Sequence, residues 1–205
     1  MTYAYRPSTA SSFGRTTSYS HAGSFQHPKV YYMMDYLPSR YSASYAQQQD
    51  REAIYNFKDG YCGSRIIDGL ASAVRRFADS NTVVCFVPAS THTKTERRYG
   101  SVAAKLNQKT GVRCSYEAIE KTTDSESGHI GGKSSDPAAD FTFRSGFFSG
   151  KKVILIDDVI TRGTTLEGTA RRLRNLGARE VVCIAVGKTT NPDWNGGENR
   201  NVERL

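Results

Sequence analysis

Three features are missing from this sequence: a long apolar run, a Cys-x-x-Cys pair and the layout of a secretory signal. No apolar run approaches the ~18 residues that a membrane-spanning helix needs. The four cysteines form no Cys-x-x-Cys pair, which excludes the usual spacing of a zinc site or a dithiol redox motif. Two of them, Cys85 and Cys183, lie in apolar runs and are predicted to be buried thiols. The N-terminus also lacks the basic-then-apolar layout of a secretory signal, so we expect a protein of the reducing cytoplasm.

Acidic residues are absent from the first 28 positions, which also contain little aliphatic side chain. Six Ser, four Thr and three Tyr dominate this segment. Such a composition buries too little apolar surface to offset the entropy of ordering the chain. We therefore expect residues 1–28 to form a low-complexity, disordered tail and residues 29–205 to form one domain.

Neither hydrophobic nor charged residues dominate the composition as a whole. Of 205 residues, 38% are hydrophobic and 23% are charged, as expected of one globular domain with a sizeable core. Lysine and arginine number 28 against 20 acidic residues, which gives a net charge of +8. A charge of that size suits nucleic acid, a membrane surface or a small anionic substrate, and does not distinguish among them.

Strand and helix patterns alternate along the chain. Apolar residues recur at spacings of three and four from Arg65 to Phe77, which predicts a core-facing helix. Two more helices are predicted, around Ser101–Lys109 and from Thr164 to Leu176, each followed by a glycine. Near-continuous Val and Ile runs indicate strands buried on both faces, and strand-helix-strand units of ~30 residues imply parallel pairing. We predict an α/β fold with an open, mainly parallel sheet flanked by helices, whose strands lie at residues 30–37, 82–87, 113–119, 151–157 and 180–187.

The segment VILIDDVITRGTTL, residues 153–166, carries the strongest chemical signal. Its two adjacent carboxylates, Asp157 and Asp158, follow a buried strand, where they need hydroxyls, cations or a metal-bound ligand as partners. The next turn combines hydroxyls with backbone N–H groups at a predicted helix N-terminus, and Gly163 allows close backbone approach, which suits a phosphate. Together these groups predict a site for a phosphorylated sugar. The alternative is that the acids and the turn residues are ordinary caps and turn chemistry.

The segment DDVITRGTT resembles the phosphoribosyl pyrophosphate (PRPP) motif of the type I phosphoribosyltransferases. DDVIT is the form seen in orotate phosphoribosyltransferases, RGTT is similar to the glutamine amidophosphoribosyltransferases, and the general layout is similar to ComF-like proteins. The resemblance implies the fold of that family, with a small hood. It implies that Asp157 and Asp158 form the catalytic pair and contact the ribose 2- and 3-hydroxyls of PRPP. The residues implied for the 5-phosphate are Thr161, Arg162, Gly163, Thr164 and Thr165.

The resemblance also implies a pyrophosphate loop after an earlier strand. The segment VPASTHTKTERR, residues 87–98, stands at that place. Arg97 or Arg98 would add charge to such a loop. The alternative is a solvated basic loop, because runs of charge are commonly solvated. The candidate pyrophosphate-binding residues are Ala89, Ser90 and Thr91, through their backbone N–H groups, and Lys94.

Two further parts of the site are assigned by position along the chain. The long polar stretch from Lys121 to Phe141 stands where the family carries a mobile lid, and Lys121 and His129 are its candidate residues. The segment after the last strand stands where the base would bind. Trp194, the only tryptophan, is a candidate to stack on that base, with plain packing as the alternative.

The resemblance implies an enzyme that transfers the phosphoribosyl group of PRPP to a nitrogenous base and releases pyrophosphate. Mg²⁺ would be the cofactor, held through PRPP rather than by protein ligands. Members acting on 6-oxopurines place an acidic general base where Thr161 stands, so this chain departs from them. We expect PRPP and a base as partners, a homodimer and no membrane. The alternative is a non-catalytic PRPP- or nucleotide-binding regulator, or a ComF-like factor acting beside DNA.

Overall fold

The framework of the molecule is a six-stranded sheet. The computed structural model describes residues 28–122, 138–192 and 202–205. The strands of this sheet are β1 (Lys29–Tyr36), β2 (Thr82–Phe86), β3 (Arg113–Ser115), β6 (Lys152–Ile160), β7 (Glu180–Thr189) and β8 (Val202–Arg204), and a separate antiparallel hairpin consists of β4 (Ile119–Lys121) and β5 (Phe141–Phe143). The strands of the sheet have the order β3-β2-β6-β7-β1-β8, and every neighbouring pair is parallel. The predicted α/β fold with an open parallel sheet is therefore confirmed.

Helices cover both faces of the sheet. They are α1 (Tyr45–Lys58), α2 (Ser64–Phe77), α3 (His92–Thr110) and α4 (Thr164–Asn175). Buried side chains of α1, α2 and α3 pack together on one face, and those of α4 pack with the β4–β5 hairpin on the other. None of the helices in the described parts of the chain is long and apolar enough to cross a bilayer.

Burial of the central strands agrees with the apolar runs in the sequence. Every residue of β2 is buried, as are Val153 to Ile156 of β6. Cys85 and Cys183 are buried free thiols, as predicted. The predicted face of α2 is buried too, since its residues Ile66, Ile67, Leu70, Ala73 and Val74 lie in the core.

The predicted start of α3 and the predicted strand at residues 113–119 were wrong. Helix α3 begins at His92, nine residues before the predicted start, because Thr91 caps it by accepting a hydrogen bond from Lys94 N at 3.2 Å. Its first turns have the sequence HTKTERR, which has too few apolar residues to show a helical period. The predicted strand at residues 113–119 is divided between β3 and β4, which belong to different sheets.

Candidate functional site

The carboxyl ends of β2, β6 and β7 meet at one edge of the sheet, which is where open α/β sheets bind ligands. Residues 87–91 connect β2 to α3, and residues 161–163 connect β6 to α4. Val87 N donates to Ile156 O across 2.9 Å, so the chain leaves β2 beside β6. The two segments predicted to bind the ends of PRPP therefore start from neighbouring strands.

The acid pair lies inside strand β6 rather than after it. Because β6 continues to Ile160, the side chains of Asp157 and Asp158 project to opposite faces of the sheet. Asp157 faces the pocket at the start of α4, while Asp158 faces α3 and forms an ion pair with Arg98. The predicted strand ended at Asp157, whereas β6 extends three residues further, and the two carboxylates have different surroundings.

An open pocket of about 280 Å³ lies where β6 turns into α4. The structure brings Asp157 into this pocket together with all five residues predicted to bind the 5-phosphate. Asp158 is not part of its lining. The lining residues are Asp157, Val159, Ile160, Thr161, Arg162, Gly163, Thr164, Thr165 and Leu166.

The N-terminus of α4 opens into this pocket without a side-chain cap. Gly163 is the N-cap residue and has φ of +76°, a left-handed conformation that strains any residue with a Cβ atom. The first backbone bond of the helix is donated by Glu167 N to Gly163 O at 2.9 Å. The N–H groups before Glu167 have no acceptor within the helix and carry its positive dipole end. This end of α4 therefore suits an anion such as phosphate.

Burial and a neighbouring negative charge both raise the pKa of Asp157. Loss of solvent raises the pKa of its carboxyl, and the negative charge of Asp158 raises it further. The backbone N–H of Asp158, which donates to Asp157 Oδ1 at 2.8 Å, and the charge of Arg98 act in the opposite direction on this pKa but do not cancel the rise. In the free protein Asp157 therefore keeps its proton to a higher pH than a surface carboxyl.

Asp158 is held by the protein through both of its carboxylate oxygens. Arg98 Nη1 donates to Oδ2, and Val159 N donates to Oδ1 at 2.6 Å. The side chains of Arg98 and Asp158 are only 16% and 13% exposed. Arg98 also donates through Nε to Lys58 O at 3.1 Å. Arg98, one of the two arginines predicted to add charge to the pyrophosphate loop, is thus already paired inside the fold.

The turn after β2 only partly matches its predicted role. Ala89 N donates to Thr95 Oγ1 at 2.9 Å, so the predicted use of that N–H for a ligand is not supported. Ser90 is exposed, Thr91 caps α3, and Lys94 is exposed on the first turn of that helix. Most of the predicted loop is thus helix, and its exposed groups are at the start of α3.

The described residues reach only the ends of the predicted lid. Lys121 ends β4 and pairs with Phe141 of β5 in the antiparallel hairpin, and Thr122 N donates to Asp140 O at 2.8 Å. Lys121 is not among the residues that line the pocket. His129 and Trp194 lie outside the described residues, as do positions 1–27 of the predicted tail.

Two threonines of the site were missed. Thr189, at the end of β7, shares a 2.9 Å hydrogen bond between hydroxyls with Thr161. Its position at the carboxyl end of a parallel strand was a usable signal. Thr95 is 5% exposed and binds the turn after β2. It lies four residues after the cap Thr91, a signal that becomes visible only once the start of α3 is known.

Comparison with known families agrees with this geometry. A model of the phosphoribosyl transferase domain matches residues 65–192, which is more than half of the chain. This chain belongs to the phosphoribosyltransferase family. The matched region extends from α2 past the end of β7, so it includes the acid pair, the pocket and the turn after β2. No curated protein sequence matches the chain.

Several solved structures are similar to this chain at low sequence identity. An enzyme described as the allosteric regulatory enzyme of purine biosynthesis is 23% identical, with a TM-score of 0.41 over 65% of this chain and 25% of that one. This chain therefore spans about a quarter of the length of that enzyme. A hypoxanthine phosphoribosyltransferase from Staphylococcus aureus is 14% identical, with a TM-score of 0.43 over 75% and 74% of the two chains. A purine phosphoribosyltransferase from Pyrococcus horikoshii is 18% identical, with a TM-score of 0.39 over 66% and 90%.

Proposed function

We propose that this protein transfers the 5-phosphoribosyl group of PRPP to a nitrogenous base and releases pyrophosphate. The observation that supports this function most strongly is the pocket in which Asp157 faces the uncapped N-terminus of α4. A carboxylate for sugar hydroxyls and a helix N-terminus for a phosphate match two parts of one phosphorylated sugar. Membership of the phosphoribosyltransferase family supports the same proposal.

The 5-phosphate would occupy the turn from Thr161 to Thr165. Backbone N–H groups of the first turn of α4 would donate to the phosphate oxygens, and the threonine hydroxyls would add further bonds. Arg162 is exposed at the rim of the pocket, where it would add charge. The left-handed Gly163 forms the turn that leads into α4, and the N-terminus of this helix would face the phosphate.

The ribose and the pyrophosphate would extend from this pocket toward the turn after β2. Asp157 would accept hydrogen bonds from ribose hydroxyls, with Asp158 held beside it on the other face of β6. Ser90, Thr91 and Lys94 would contact the pyrophosphate at the start of α3. Ala89 is left out, because its N–H already binds Thr95.

Magnesium, which the family resemblance implies, prefers hard oxygen ligands and keeps part of its water shell. Among residues 28–122, 138–192 and 202–205, no three His, Cys, Asp or Glu side chains cluster. The ion would be held by oxygens of PRPP and by water. Bound there, it would neutralise charge on the departing pyrophosphate.

The reaction requires positioning rather than covalent chemistry by the protein. Displacement of pyrophosphate develops positive charge on the ribose ring and negative charge on the leaving group. Asp157, once ionised, would lie beside the ribose ring, and Lys94 at the start of α3 would lie beside the leaving group, so each charge would develop next to its complement. Thr161 carries no carboxyl that could act as a general base, and its hydroxyl bonds Thr189. We therefore propose an acceptor whose attacking nitrogen needs no strong base, with Trp194 as the candidate to stack on it.

The direct test is pyrophosphate release from PRPP and Mg²⁺ in the presence of a panel of pyrimidines, purines and simple amines. We expect release that depends on one acceptor class and is lost in the Asp157→Asn variant. PRPP binding without turnover on any acceptor would favour the non-catalytic regulator instead. Submicromolar duplex DNA binding at physiological salt, again without turnover, would favour the DNA-side factor.

A further inference from the structure

One face of helix α3 contacts both ends of the candidate site. Thr91, Thr95 and Arg98 stand at spacings of four and three, which places them along the same side of the helix. Thr91 and Arg98 are seven residues apart, or ~10 Å along the axis. This face therefore links the turn after β2 to the acid pair in β6.

At its start, this face fixes the turn after β2. Thr95 Oγ1 accepts a hydrogen bond from Ala89 N at 2.9 Å and donates to Thr91 O at 2.9 Å. The Thr95 side chain is buried, so water does not compete for these bonds. The hydroxyl thus ties the chain that leaves β2 to the first turn of α3.

Two turns later, the same face fixes the acid pair. Arg98 binds Asp158 Oδ2 and also donates to Lys58 O at 3.1 Å, so the guanidinium is held at two points. Asp158 neighbours Asp157, whose Oδ1 accepts the Asp158 N–H at 2.8 Å. The orientation of Arg98 thereby fixes the backbone and the charge beside the pocket carboxylate.

We propose that this face of α3 sets the relative placement of the two ends of the PRPP site, with Thr95 as the positioning residue for the pyrophosphate turn and Arg98 as the positioning residue for the acid pair. Neither side chain needs to touch the ligand. The inference rests on the proposed function, since it assigns a ligand fragment to each end. It requires that the two residues act on different fragments, which a general contribution to folding would not produce.

The test measures two fragments of PRPP separately by calorimetry, magnesium pyrophosphate and ribose 5-phosphate. Thr95→Val is expected to weaken magnesium pyrophosphate about tenfold and to leave ribose 5-phosphate within about twofold. Arg98→Met is expected to weaken the binding of ribose 5-phosphate about tenfold and to leave that of magnesium pyrophosphate within about twofold. Thr95→Ser, which keeps the hydroxyl, should restore pyrophosphate binding. Arg98→Lys, which keeps the charge but not the bond to Lys58 O, should weaken ribose 5-phosphate by about threefold.

The matched control is Lys105→Met, which removes one exposed positive charge from the same helix. It should leave the affinity for both fragments unchanged. If Arg98→Met does not fold, Arg98→Lys provides the test, because it should lower the affinity for ribose 5-phosphate and not that for magnesium pyrophosphate. Parallel losses of both fragments in the Thr95 and Arg98 variants, or no loss in either, would overturn this inference alone. Failure of the wild-type protein to bind either fragment would overturn the proposed function as well.

Discussion

The two ends of the candidate site are built in different ways. The phosphate end is local, because Asp157, the turn and the first three residues of α4 lie within ten consecutive residues of one strand-turn-helix unit. The other end starts from a different strand, β2, and helix α3, which follows that turn, is joined to β6 by a tertiary contact, because Arg98 pairs with Asp158, 60 positions away along the chain. A local site leaves a contiguous motif in the sequence, whereas a site assembled from distant residues leaves scattered polar residues.

The largest expected effect is a difference in stability between the Asp158→Asn and Asp157→Asn variants. Asp158→Asn should lower the free energy of unfolding by about 2 kcal/mol, because it leaves the largely buried Arg98 guanidinium without its charged partner. Asp157→Asn should not destabilise the protein, because Asp157 has no cationic partner of this kind among the described residues. Chemical denaturation of the two variants measures the difference. Equal losses would contradict the division of the pair into a pocket acid and an anchored acid.

Asp157→Asn should stabilise the folded protein, and the size of this gain should depend on pH. Because the folded protein raises the pKa of Asp157, ionisation of this carboxyl reduces the free energy of unfolding as pH rises above the ordinary carboxyl range. Removing the carboxyl should therefore raise the melting temperature more at pH 8 than at pH 5. Melting curves of wild type and variant at both pH values test the sign. A larger gain at pH 5 would mean that the pKa of Asp157 is lowered instead.

The phosphate end can be tested by a pair of glycines with the same backbone strain. Gly163 and Gly111 have φ of +76° and +71°, and Gly111 has no atom within 4 Å of an added Cβ. Each Gly→Ala substitution should cost about 1 kcal/mol of stability. Only Gly163→Ala should also weaken inorganic phosphate binding, by about tenfold, because it displaces the N–H groups of α4. Equal phosphate affinity in both variants, measured by calorimetry, would remove Gly163 from the site.

The smallest expected effect concerns Thr161. Its hydroxyl is exposed and shared with Thr189 across 2.9 Å, so Thr161→Val should change stability by less than about 1 kcal/mol. If the hydroxyl contacts phosphate as proposed, PRPP affinity should fall by about threefold to tenfold. Thr189→Val is the matched variant, because it breaks the same bond from the side away from the turn. Equal losses of affinity would show that the bond between the two threonines, rather than a phosphate contact, is responsible.

Sequence patterns predicted the parts of this molecule that depend on local periodicity. The buried strand Val153–Ile156 and the apolar face of α2 both follow from runs and spacings of apolar residues. The start of α3 was missed, because its first turns are polar and are stabilised by Thr91 and by contacts of Arg98. The end of β6 was misplaced, because a pair of acids is typical of a loop. The pair gives no indication that an arginine on a neighbouring helix forms an ion pair with one of the acids. Burial of charged side chains depends on partners that a linear pattern does not reveal.

The central claim is that PRPP binds at the N-terminus of α4, and backbone amide chemical shifts during a PRPP titration with Mg²⁺ test it most directly. The helix α2 provides an internal control, because its N-cap Gly63 likewise provides no side-chain cap. We expect saturable shift changes for the amides of Thr164, Thr165 and Leu166, with little change at Ser64 and Arg65, the first two residues of α2. Equal changes at the two helix starts, or none at α4, would contradict it.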